Sequence, residues 1–260
     1  MREPDARDAA WVLVVALAGL LAARILVAVK VPGAAAIAVL QASFLAAPFV
    51  VARASRLNPW SAGGFVRLRP GPAALVLLAS AASLWLLFGL ARLQTDFFRM
   101  VGYEKQAEAE EELIRRSLEI TADQHPIQTL ILFALIPPLC EETFFRGILF
   151  RGLASRFGTG VALAATTLLF SSVHQTLGQK GMMLVLGCYF GVLVSLTGSL
   201  WASILAHAVN NAAVIVMTWT FGARLKDLPV PWWMTAVSAL LFGLAMTGLV
   251  LDRRTRPAAT

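Results

Sequence analysis

The ionisable side chains within the apolar stretches of this sequence concentrate in three short blocks. Leu139-Cys-Glu-Glu-Thr-Phe-Phe-Arg-Gly147 supplies Glu141, Glu142 and Arg146. Phe170-Ser-Ser-Val-His-Gln175 supplies His174, and Leu205-Ala-His-Ala-Val-Asn-Asn211 supplies His207, Asn210 and Asn211. Such groups are expensive where no water reaches them, so their retention points to function. Carboxylate, imidazole and carboxamide together are the parts of a water-activating site. A buried carboxylate beside imidazoles suits a general base, and amide or imidazole N–H groups suit a developing oxyanion.

Helical spacing separates the roles. Glu142 and Arg146 are four residues apart and share a face, as do His207 and Asn211. Glu141 projects about 100° away from Glu142, so the two carboxylates cannot do the same work. One can pair with Arg146 while the other is free to face a cavity. Other chemistries lack their residues. There is no His-Glu-x-x-His pair for a helix-borne zinc site, no Gly-x-Ser-x-Gly elbow and no Walker or Rossmann loop. The aspartates, at 5, 8, 96, 123, 227 and 252, all fall outside the expected spans, which excludes an intramembrane aspartyl dyad.

The elements that must position these residues are apolar helices. Of the 260 residues, 58% are hydrophobic and only 14% are charged. A soluble domain carries about 25% charged residues, so a soluble fold is excluded. The expected class is an all-α polytopic membrane protein with about eight transmembrane helices and its catalytic residues on three of them, facing an intramembrane cavity. The spans fall near 10–29, 33–52, 72–91, 127–150, 159–177, 182–197, 199–220 and 231–251. The first has the look of a signal peptide, but it is long and its leader is mixed in charge, so it reads as a retained span. Gly187, Gly191 and Ser195 give the sixth span a small-residue face for close packing. Cys140 and Cys188 read as packing residues rather than a disulfide or a metal site.

Between the third and fourth spans, residues 92–125 are polar with an acidic centre, and Glu111–Arg115 and Glu112–Arg116 pairs predict a helix there. Counting Lys and Arg in short loops, with the amino terminus inside, gives twelve on the cytoplasmic side. Only four, Lys30, Lys180, Arg224 and Lys226, fall opposite, so both termini are expected in the cytoplasm. The net charge of +7 lies in gaps between apolar runs, which suits a lipid head-group surface and not nucleic acid. The chain divides into 1–126 with three spans and the connector, a core at 127–220, and a last span with a basic tail at 221–260.

The blocks Glu-Glu-x-x-x-Arg (141–146), Phe-x-x-x-His (170–174) and His-x-x-x-Asn (207–211) resemble, in order, those of the CAAX protease and bacteriocin-processing family. These are multi-span intramembrane endopeptidases related to the type II CAAX prenyl endopeptidase. The resemblance covers residues 127–220. It implies that Glu141 and His174 activate water, that His207 and Asn211 stabilise the oxyanion, and that Glu142 and Arg146 order the site or hold substrate. The implied substrate is a membrane-associated or CAAX-like peptide or protein, in a prokaryotic cell membrane. Relatives with other roles leave open a non-enzymatic bacteriocin-immunity or binding protein. No cofactor is favoured. If the enzyme uses zinc, Glu141, His174 and His207 are the ligands, but asparagine is a poor zinc ligand and a good hydrogen-bond donor.

Overall fold

The computed structural model describes residues 2–30, 33–106, 108, 109, 112, 115, 125–174 and 176–255. The chain is an all-α polytopic membrane protein, and among the described residues there is no strand. Eight apolar helices follow one another: α1 (Ala6–Ala28), α2 (Gly33–Ala54), α3 (Pro70–Met100), α4 (Pro126–Phe157), α5 (Thr159–Ser172), α6 (Leu177–Thr197), α7 (Leu200–Phe221) and α8 (Trp232–Arg254). Their ends follow from local chemistry. Asp5 caps α1 in a reciprocal box with Asp8, and proline opens α3 and α4, where a missing N–H costs nothing.

Seven of these helices are long and apolar enough to cross a bilayer. The exception is α5, expected over 159–177 but only 14 residues long. At 1.5 Å per residue it reaches about 21 Å, short of a hydrocarbon core of about 30 Å. It stops because the chain folds back at His174, whose backbone N–H donates to the Ser171 carbonyl at 3.2 Å. Other helices outrun their apolar runs and take in aspartates: Asp8 lies in α1, Asp96 in α3 and Asp252 in α8. Asp8 is buried because the Ser55 hydroxyl (2.6 Å), Arg2 (2.9 Å) and the Asp5 N–H (3.0 Å) satisfy it.

Two compact units can be distinguished. The first takes the chain up to Arg67, Ile136–Leu169 and Cys188–Ile204. Here α1 lies on α2 so closely that a Cβ on Gly19 would collide with the Ser43 side chain. The end of α4 meets the start of α1, with Gly152 against the Asp5 carbonyl. Phe150, Ala162 and Val194 form a buried cluster, and Gly191 abuts Leu163, as the small-residue face requires. Gly64, at φ +79°, adopts a left-handed conformation that favours glycine, and its missing Cβ leaves room for the Arg151 guanidinium. Its carbonyl accepts from the Leu200 N–H at 2.8 Å. Cys140 is buried as expected, but Cys188 is exposed, so it is not a core residue.

The second unit takes Leu68–Leu135, Phe170–Gly187 and the chain from Leu205 on. It is framed by α3 packed along α8, with Gly248 against Leu75. Arg69 and Asp252 pair at 2.5 Å, which puts the start of α3 and the end of α8 on one side. Gln94 donates to the Gly178 carbonyl at 2.7 Å, and Arg92 donates to that of Leu228. In the acidic connector Arg115 pairs with Glu112 at 2.7 Å. Glu111 and Arg116, named in the expected pairs, lie outside the described residues.

Candidate active site

The carboxylates sit on α4, the least regular helix among the described residues. Two π-helical stretches, Leu130–Leu135 and Thr143–Leu149, flank the α-helical Ile136–Glu142. Pro137 and Pro138 explain the first, since neither can donate to the preceding turn. Within the second, the backbone leaves helical geometry at Gly147 (φ −75°, ψ −123°). Such widened turns recur at functional sites because they re-aim side chains.

In the first unit the two carboxylates are held differently, as their spacing predicts. Glu142 accepts from Arg146 Nη1 at 3.0 Å, and both side chains are fully buried. The Arg146 guanidinium also lies 5.7 Å from the ring centroids of Phe145 and Phe190, within cation–π range. Glu141, also buried, accepts instead from the neutral amide of Gln41 on α2, with Nε2 to Oε1 at 2.9 Å. One turn along α2, Phe44 stacks on Phe144 with centroids 4.8 Å apart and meets Phe145 edge-on at 5.5 Å. These rings fix α2 against α4, so the Gln41 amide reaches Glu141. Gln41 has no part in the sequence reading, although a lone glutamine in the second apolar run marks it.

In the second unit Phe170 joins the two histidines. Fully buried at the end of α5, its ring lies 5.1 Å from that of His174 and 5.8 Å from that of His207, edge-on to both. The phenylalanine of the Phe-x-x-x-His block is therefore a spacer between imidazoles. His174 Nδ1 lies 2.8 Å from the Phe170 carbonyl oxygen. A carbonyl only accepts, so Nδ1 is the donor in this contact and Nε2 is the ring nitrogen left for other partners. His207 is buried on α7, with Asn210 also buried. Asn211 is partly buried and donates from Nδ2 to the Phe133 carbonyl at 3.0 Å. The Asn211 amide is thus oriented by a carbonyl on α4. Among the described residues, no group of three His, Cys, Asp or Glu side chains is placed to hold one metal ion.

Residues 123–213 match the family described as type II CAAX prenyl endopeptidase, Rce1-like. That segment holds all three blocks in order. Through it, this segment of the chain is similar to the CAAX protease and bacteriocin-processing family. Among curated proteins, it is similar to "Putative membrane peptidase YdiL" of Bacillus subtilis (strain 168), 28% identical over 88 residues. That stretch is 34% of this chain and 36% of the relative, so the chain matches about a third of the relative's length. No solved structure matches. Within the CAAX-protease segment lie Glu141, Glu142, Arg146, Phe170, His174, His207 and Asn211, whereas Gln41 lies outside it.

Proposed function

We propose that this CAAX-protease relative is an intramembrane endopeptidase that hydrolyses a peptide bond of a membrane-associated or CAAX-like substrate with water activated by Glu141 and His174. The water proton passes to this pair as the water oxygen attacks the scissile carbonyl carbon. The carbonyl electrons move onto oxygen, and N–H groups of His207 and Asn211 receive the oxyanion. As the intermediate collapses the C–N bond breaks, and the proton returns to the leaving amine. Donors preorganised for an oxyanion are worth about 2.7–4 kcal/mol each.

The observation that carries the reading is the division between adjacent carboxylates. Glu142 is engaged by a buried cation at 3.0 Å, whereas Glu141 has a neutral amide at 2.9 Å and keeps its capacity to accept a proton. The His174 Nδ1 contact supports it further, since it leaves Nε2 to accept. No step of this chemistry needs a metal. The Lys and Arg count supports an amino terminus in the cytoplasm, and the Arg69–Asp252 pair, which joins the start of α3 to the end of α8, supports a carboxyl terminus on the same side.

The test is cleavage of a fluorogenic membrane-peptide library by the purified protein in detergent. Glu141→Gln keeps the shape, removes the base and is expected to lower the rate by about 10²-fold or more with folding intact. Wild-type turnover by that variant would overturn the glutamate-base reading. A wild type that cleaves nothing, while still protecting cells as an immunity factor, would favour a binding role.

A further inference from the structure

The bond between Asn211 and the Phe133 carbonyl has a cause in the sequence of α4. A helical carbonyl at position i takes its hydrogen from the N–H at i+4 in an α-helix, or at i+5 in a π-helix. For Phe133 those positions are Pro137 and Pro138, and neither carries an N–H. The residue sits in the π-helical Leu130–Leu135 stretch and the α-helix resumes at Ile136, so both registers that its surroundings use are closed to it. In a bilayer no water makes up such a loss, and a side chain must. Asn211 does so, at 3.0 Å from a residue 78 positions away.

That contact fixes more than the carbonyl. A carboxamide can be turned end for end at little steric cost, but only its NH₂ end can face a carbonyl. With one N–H bound to Phe133, the second lies in the amide plane about 120° away, with no freedom to exchange ends. We propose that Pro137 and Pro138 are positioning residues: by withholding both helical donors from Phe133, they create an acceptor that orients Asn211 and leaves its second N–H preset for the oxyanion. The proposal rests on the oxyanion role given to Asn211 above and explains how that amide is held ready.

Replacing both prolines with alanine returns N–H donors to α4. The helix becomes more regular, and the Phe133 carbonyl can be recaptured by its own backbone. A purely structural pair of prolines predicts unchanged turnover. A positioning pair predicts a fold at least as stable but a slower enzyme, because the amide is free to turn. Removing an oxyanion donor costs about 10²–10³ in rate, so misorienting one should cost about 10-fold in kcat with KM little changed. The double-mutant cycle supplies the check: the two Pro→Ala changes should lower kcat in the parent but add nothing to Asn211→Ala. The substrate is whichever fluorogenic membrane peptide the wild type cleaves.

A readout independent of activity is the isotope-edited infrared band of ¹³C-carbonyl-labelled Phe133. Asn211→Ala should shift it in the parent protein and leave it in place in the Pro→Ala background. Should the double alanine variant fail to fold, Pro137→Ala alone restores the α-helical donor and is read the same way. If Asn211→Ala slows cleavage but Pro→Ala does not, the positioning role is overturned and the oxyanion reading stands. The positioning role falls equally if the proline changes slow the Asn211→Ala enzyme as much as the parent, or if the labelled band ignores Asn211. If Asn211→Ala cleaves normally, the oxyanion reading itself is wrong.

Discussion

Breaking the Glu142–Arg146 pair from either side should destabilise the protein far more than removing both charges at once. Both side chains are fully buried and 3.0 Å apart, so removing one partner of the ion pair costs about 3–5 kcal/mol. The two losses are not equivalent. Arginine cannot shed its charge at any accessible pH, so Glu142→Gln leaves a fixed buried cation beside the rings of Phe145 and Phe190. The new amide can still accept from Arg146, which puts this variant near the low end, about 3 kcal/mol. Arg146→Met takes the guanidinium away from Glu142 and from the rings of Phe145 and Phe190 together, which puts it near the high end, about 5 kcal/mol. Denaturation in mixed micelles reads both. Combining the two changes should recover most of the loss, because a neutral pair leaves no buried charge behind. A double variant less stable than either single one, or a Glu142→Gln protein as stable as wild type, would refute the reasoning.

Gln41→Leu removes a neutral donor from a carboxylate, a bond worth about 1.5–3 kcal/mol, and is expected to lower turnover by about 10-fold or more while the aromatic contacts of Phe44 keep α2 docked. Its steady-state kinetics beside those of Glu141→Gln would check this. Chelation with EDTA should leave the wild type active, and elemental analysis should find no stoichiometric zinc; activity lost to chelation and restored by zinc would make Glu141, His174 and His207 ligands instead. Cysteine-accessibility labelling in the 92–125 connector should succeed only from outside the cell, and labelling only from the cytoplasm would invert the topology.

What the sequence determined by itself is whatever helical periodicity decides. The apolar runs placed all eight helices to within a few residues at most ends, because a buried or lipid-facing helix needs continuous hydrophobicity whatever its neighbours are. The Glu142–Arg146 pair, the shared face of His207 and Asn211, and the separation of Glu141 from Glu142 were legible for the same reason: four residues are just over one turn in any α-helix. Tertiary structure decided the partners. Gln41 reaches Glu141 across 100 positions, Phe133 holds Asn211 across 78, and Phe170 lies between His174, which the structure puts in the turn after α5 rather than on a helix, and His207 on α7. No spacing rule reaches that far, since long-range partners are selected by which side chains the packing brings together. Packing also decided that α5 stops at Ser172, that Asp8 is buried against Ser55 and Arg2, and that Cys188 is exposed. In each case the residue type permits more than one environment, and its neighbours in space select among them.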